Sequence, residues 1–105
     1  MSSAVSKALH IIAEGRFLGR NDAEAAFAEL MRGEVSAART AALLMGLRAR
    51  GETPEELAGA ILALRGAMRP VASSRPGELV DTCGTGGGTV GTLNISTAAA
   101  FVAAG

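Results

Sequence analysis

The chain has no tryptophan, no tyrosine and only three phenylalanines among its 105 residues. Proteins that hold single-stranded nucleic acid stack bases on aromatic rings. That binding mode has no platform here, and no nucleic-acid partner is expected. A single cysteine, Cys83, excludes an intrachain disulfide and any multi-cysteine metal site. A single histidine, His10, has no second histidine with which to share a metal, so it reads as a surface or interface residue. Neither sign of charge is in excess: ten basic residues are matched by ten acidic ones. No bulk field recruits nucleic acid or an anionic membrane. Long hydrophobic runs are missing near the N-terminus, where Lys7, His10 and Glu14 interrupt the apolar residues. Neither a secretory leader nor a membrane-spanning helix fits that pattern. The expectation is a cytoplasmic protein with no membrane partner.

What is present in quantity is alanine and glycine, and their placement punctuates four helices. Val5, Ala8, Leu9 and Ile12 recur at helical spacing, and Gly15 ends that segment. Asn21 with Glu24 three residues on resembles a capping box for a second helix, with Ala23, Phe27, Leu30 and Met31 as its apolar face and Gly33 as its close. Ser36 can cap a third helix running to Arg50, stopped by Gly51. Thr53, Pro54 and Glu56 form the clearest start signal: a cap, a proline in the first turn and a glutamate at the third position. Leu57, Ile61, Leu64 and Met68 then make one stripe, which Pro70 terminates. Arg39, Arg48, Arg50, Arg65 and Arg69, spread over two helices, read as a solvated face. The third helix is apolar over most of its circumference, through Ala37, Ala38, Ala41, Ala42, Leu43, Leu44, Met45 and Leu47. A helix apolar on most sides is buried on most sides. In so small a bundle this points to a second surface, either a partner subunit or the rest of a larger protein; the alternative is alanine as helix-favouring filler.

After a linker rich in proline and serine comes the stretch of greatest chemical interest. Leu79 to Thr82 has the apolar, partly β-branched character of a short strand, and Gly84 opens a loop in which five of eight residues are glycine. Asn94 or Ser96 can cap the helix that follows. Glycines let main-chain N–H groups approach a ligand with no Cβ in the way, and the positive end of a helix dipole favours an anion. The reading is an anion cradle, for phosphate. A P-loop is excluded, because Gly86 to Gly91 has the spacing but Thr92 and Leu93 stand where a lysine and a hydroxyl residue are needed. Gly86, Gly88 and Gly91 match a dinucleotide fingerprint only weakly, since Thr92-Leu93-Asn94-Ile95 suits a loop or cap better than a first helical turn. Cys83 beside the loop reads as a buried thiol, and Asp81 as either a base or a carboxylate that orders the loop. The helix through Ala98 to Ala104 has no polar face and is expected to lie beneath a sheet.

The run Gly84-Thr85-Gly86-Gly87, followed by Thr92-Leu93-Asn94-Ile95-Ser96-Thr97, resembles the phosphoribosyl-diphosphate loop of the anthranilate phosphoribosyltransferase family. Upstream, Met31-Arg32-Gly33-Glu34-Val35-Ser36 and the segment from Leu43 to Glu56 resemble that family's helical N-terminal region. The likeness spans nearly the whole chain. It implies transfer of a phosphoribosyl group from phosphoribosyl diphosphate to the amine of anthranilate, in tryptophan biosynthesis, with Mg²⁺ as cofactor and a homodimer formed through the N-terminal helices. It further implies that Gly84, Gly87 and Gly88 offer main-chain contacts to the diphosphate or ribose. Thr92, Asn94, Ile95, Ser96 and Thr97 would complete the grip, with the Ser96 hydroxyl near the metal and Gly84 also bordering the anthranilate pocket. Three positions depart from the family pattern: Gly88 stands for its aspartate, Thr89 for its glycine and, more mildly, Leu93 for its phenylalanine. The family's later lysine–histidine segment, its anthranilate-side arginine and its acidic metal ligands are expected beyond Gly105, as are the catalytic residues, so this stretch alone is expected to be inactive.

The expected architecture is therefore mainly α. A four-helix N-terminal domain covers 1–69 and a linker covers 70–78. The first strand, glycine loop and helix of an incomplete α/β domain cover 79–105. A non-catalytic helical dimerisation module with a vestigial glycine loop, or a fragment of a nucleoside phosphorylase-type enzyme, is the competing expectation.

Overall fold

A computed structural model of the chain describes residues 3–84 and 94–105. Its helices are α1 (Ala4–Ala13), α2 (Arg20–Met31), α3 (Ala37–Arg50), α4 (Pro54–Ala67) and α5 (Ile95–Ala104), with a single 3₁₀ turn at Pro76–Glu78. The chain divides into two compact units, Met1–Pro70 and Val71–Gly105.

In the first unit, α1 packs on both α2 and α3, while α4 packs on α2. Val5, Ala8, Ile11, Leu18, Ala23, Ala26, Leu43 and Leu47 form the core, with Leu9, Ile12, Phe27, Leu30 and Val35 packed against it. The glycine stops expected from the sequence are present. Gly15, Gly33 and Gly51 have φ of 72°, 74° and 87°, a left-handed conformation that side chains with a Cβ resist. The start of α1 is tied to α2 by one carboxylate: the Ser3 hydroxyl donates to Glu29 Oε1 at 2.6 Å and the Val5 N–H to Glu29 Oε2 at 3.1 Å. Those two donations, the Ser3 hydroxyl first, hold the Glu29 carboxyl below its ordinary range.

One local expectation is corrected and two are refined. The capping box at Asn21 and Glu24 does not form: α2 starts earlier, with Gly19 as a cap that has no side chain, and Asn21 lies within the first turn. The chain enters α2 from buried Leu18, whose N–H donates to Glu56 Oε1 at 2.8 Å, so a tertiary tie sets the start. Ser36 is the cap residue of α3, as expected, and its carbonyl accepts from the Thr40 N–H, but its hydroxyl makes no capping bond. The stripe of Leu57, Ile61, Leu64 and Met68 does not face the core, each residue being about half exposed or more. Helix α4 docks by its small side, Gly59 and Ala63. A Cβ built on Gly59 would lie 2.3 Å from the Arg20 carbonyl oxygen and 2.8 Å from Ala23 Cβ. The backbone of α4 thus sits directly on the first turn of α2, an approach no larger residue permits.

The capping box at Thr53 and Glu56 is present in full, and it does more than cap. The Glu56 N–H donates to Thr53 Oγ1 at 3.3 Å, and the Thr53 N–H donates to Glu56 Oε2 at 2.8 Å. Glu56 is only 2% exposed, and besides Leu18 its carboxylate accepts from the Arg50 guanidinium. Burial pushes this carboxyl up, but the bonds from the Leu18 and Thr53 N–H groups and from Arg50 outweigh it, leaving Glu56 below its ordinary value. Arg50 also donates to the Arg16 carbonyl and lies 4.4 Å from the centre of the Phe17 ring. The expectation of a solvated arginine face is therefore wrong at Arg50, whereas Arg39, Arg48, Arg65 and Arg69 are exposed.

Helix α3 buries only Leu43 and Leu47, leaving Leu44 and Met45 among its exposed residues. His10 is exposed on α1, its Nε2 3.1 Å from Glu14. No described helix is long and apolar enough to cross a membrane.

Candidate anion-binding site

The second unit presents a concave face between residues 80–84 and the first turns of α5. The strand expected at Leu79–Thr82 is not formed: among the described residues there is no strand at all. A strand is held by hydrogen bonds to a neighbour, and no described segment supplies one. Leu79 and Val80 are accordingly exposed. Nor does α5 lie beneath a sheet; it buries none of its residues.

In place of a ladder, local bonds shape the segment. The Cys83 N–H donates to Asp81 Oδ1 at 2.8 Å, a side-chain turn spanning two residues. Cys83 itself is exposed, not buried as expected, and its thiol donates to the Gly84 carbonyl at 3.6 Å. Gly84 then reaches the start of α5, where a Cβ added to it would lie 2.9 Å from Ser96 Oγ.

The helix start is built as the sequence suggests. Asn94 is the cap, its Oδ1 accepting from the Thr97 N–H at 3.1 Å. This leaves the Asn94 amide nitrogen, with two hydrogens, to donate elsewhere. Helix geometry leaves the N–H groups of Ile95 and Ser96 without intrahelical acceptors. No acidic side chain occupies the first turn to offset the positive end of the dipole. Ser96 is half-buried, while Asn94, Ile95 and Thr97 are exposed.

Of the residues singled out in the sequence, Gly84, Asn94, Ile95, Ser96 and Thr97 therefore line one concavity. Gly87, Gly88 and Thr92, together with the amides of the loop core, lie outside the described residues. Thr82, Cys83 and Ala100 also line it. Their participation could have been anticipated only from adjacency to Gly84 and from the one-turn spacing between Ser96 and Ala100. Among the described residues no three histidine, cysteine, aspartate or glutamate side chains cluster in a way that could hold a metal ion.

Two family profiles cover most of the chain. The glycosyl transferase family, helical bundle domain, matches residues 6–68, and the glycosyl transferase family, a/b domain, matches residues 76–105. Curated relatives are similar over almost the whole length. Anthranilate phosphoribosyltransferase 2 of Ralstonia nicotianae is 52% identical over 94 residues, 90% of this chain and 27% of that protein. Anthranilate phosphoribosyltransferase of Rhodopseudomonas palustris is 49% identical over the same coverage. That of Caulobacter vibrioides is 46% identical over 105 residues, all of this chain and 30% of that protein. The chain thus spans about three-tenths of the length of these relatives. No solved structure matches it. With the helical-bundle profile covering more than half of its residues, the chain belongs to the glycosyl transferase family.

Proposed function

We propose that the protein to which this chain belongs transfers a phosphoribosyl group from phosphoribosyl diphosphate to the amine of anthranilate, in tryptophan biosynthesis. The observation that carries the proposal is the close approach of the Gly84 backbone to Ser96 Oγ at an Asn-capped helix N-terminus free of first-turn acids. The names of the three relatives supply the substrate class.

Leaving-group departure from ribose C1 builds positive charge on the ring and negative charge on the diphosphate. Catalysis is then largely stabilisation of developing charge and positioning. The residues of this chain serve the diphosphate side. The Ile95 and Ser96 amides and the Asn94 amide nitrogen donate to phosphate oxygens, and the Ser96 and Thr97 hydroxyls add further donors. Gly84, Gly87 and Gly88 let the backbone approach the diphosphate and ribose, Thr92 adds a hydroxyl, and Gly84 borders the anthranilate pocket.

The oxygen donors fit Mg²⁺, which prefers oxygen ligands and keeps several waters. The Ser96 hydroxyl is the group of this chain that would meet the metal. When bound, it would supply neutralisation of the leaving group's charge. In this reading residues 1–69 are the helical domain, 70–78 the linker and 79–105 the start of the phosphoribosyl-diphosphate domain of a cytoplasmic enzyme. Isothermal calorimetry of the whole protein with phosphoribosyl diphosphate and Mg²⁺ tests it. Saturable binding, followed by phosphoribosyl-anthranilate formation on adding anthranilate, is expected; absence of both refutes the reading.

The exposed apolar residues Leu44, Met45, Leu57, Ile61, Leu64 and Met68 favour a second property, homodimerisation through the helical domain. Sedimentation equilibrium at micromolar concentration would show a dimer. A dimer without any ligand binding would instead favour a helical dimerisation module with a vestigial loop.

A further inference from the structure

An exposed carboxylate, Asp81, lines the same concavity as the proposed diphosphate donors. A negative charge there opposes a bound anion through simple Coulomb repulsion. Its presence therefore calls for a use, and the geometry supplies one. Asp81 Oδ1 accepts the Cys83 N–H at 2.8 Å, closing a turn over Thr82. The next residue is Gly84, whose missing Cβ lets it come against Ser96 Oγ. That side-chain bond and the longer thiol contact from Cys83 to the Gly84 carbonyl are the described contacts that lead the chain into Gly84.

We propose that Asp81 is a positioning residue of the phosphoribosyl-diphosphate site: its carboxylate oxygen, used as an acceptor and not as a charge, fixes the turn that delivers the Gly84 backbone to the Ser96 hydroxyl. The role rests on the proposed function of this site. It separates cleanly from a metal-binding or basic role, because asparagine retains the Oδ1 acceptor while losing the charge and the basicity. Alanine loses all three.

The test compares wild type, Asp81→Asn and Asp81→Ala in the whole protein, by calorimetry with phosphoribosyl diphosphate and Mg²⁺ and by steady-state kinetics. Asp81→Ala is expected to weaken binding about tenfold, the scale of one lost hydrogen bond. The effect should fall on KM for phosphoribosyl diphosphate, with kcat changed less than about threefold. Asp81→Asn is expected to restore affinity to within about threefold of wild type. Amide hydrogen exchange at Cys83 should accelerate in Asp81→Ala and stay near wild type in Asp81→Asn. Equal losses in the two variants would overturn the proposal in favour of a role for the charge. An unaltered KM in Asp81→Ala, or Cys83 exchange that does not respond, would also overturn it. Failure of the wild type itself to bind would overturn the site reading, and this role with it.

Discussion

Helix α4 contains two glycines at which the same substitution is expected to act with opposite sign. A Cβ at Gly59 would meet the Arg20 carbonyl oxygen at 2.3 Å, Ala23 Cβ at 2.8 Å and the Glu24 nitrogen at 2.8 Å, whereas a Cβ at Gly66 meets nothing within 4 Å. Glycine to alanine in a helix is worth up to about 1 kcal/mol of stabilisation from propensity. At Gly66 nothing opposes that gain, and the variant should be about 0.5 kcal/mol more stable, the position being close to the helix end. At Gly59 two of the three obstructing atoms are backbone and cannot rotate away. Ordinary carbon–oxygen contacts begin near 3.3 Å, so α4 must retreat from α2 by about 1 Å. Overpacking of this kind costs about 1–3 kcal/mol, enough to exceed the propensity gain. The net expectation for Gly59→Ala is a loss of roughly 1–2 kcal/mol. Urea unfolding followed by far-ultraviolet circular dichroism reads both changes. With a slope of about 1 kcal/mol per molar urea, the two midpoints should separate by more than about 1 M. If Gly59→Ala proved as stable as Gly66→Ala, the close docking of α4 on α2 would be refuted.

Glu56→Gln should destabilise the helical unit by about 3 kcal/mol in the same assay, because either orientation of the amide turns an NH₂ toward two donors and leaves Arg50 half-buried without its anion. An acid titration of wild-type stability adds a sign. The Glu56 carboxyl is depressed in the folded state, so its contribution is complete above the unfolded value near 4.5 and lost as pH falls through the lower folded value. The stability gap between wild type and Glu56→Gln should therefore narrow below about pH 4.5, and a gap independent of pH would contradict the assigned charge. Gly84→Ala should weaken phosphoribosyl-diphosphate binding by calorimetry at least tenfold, since the added methyl lies 2.9 Å from Ser96 Oγ; unchanged affinity would remove Gly84 from the site.

Features legible in the sequence were those decided within a few residues. The left-handed stops at Gly15, Gly33 and Gly51 follow from which residue tolerates positive φ. The Thr53–Pro54–Glu56 start and the Asn94 cap follow from side chains that reach their own helix's first amides. The glycine-rich stretch and the hydroxyls after it pointed to an anion by the same local logic, with Gly84 against Ser96 as its described part. Tertiary structure alone decided which face each helix turns inward. Periodicity makes Leu57, Ile61, Leu64 and Met68 the natural core face of α4, yet the helix docks through Gly59 and Ala63. A small-residue side lets two backbones approach more closely than leucines allow, and periodicity carries no information about a neighbour's shape. Glu56 likewise looked like a cap and no more, because its bonds to Leu18 and Arg50 depend on loops brought together only by folding. The segment from Leu79 to Thr82 marks the same boundary: its residues favour a strand, but strand formation is a property of a pair, which a sequence of one partner does not determine.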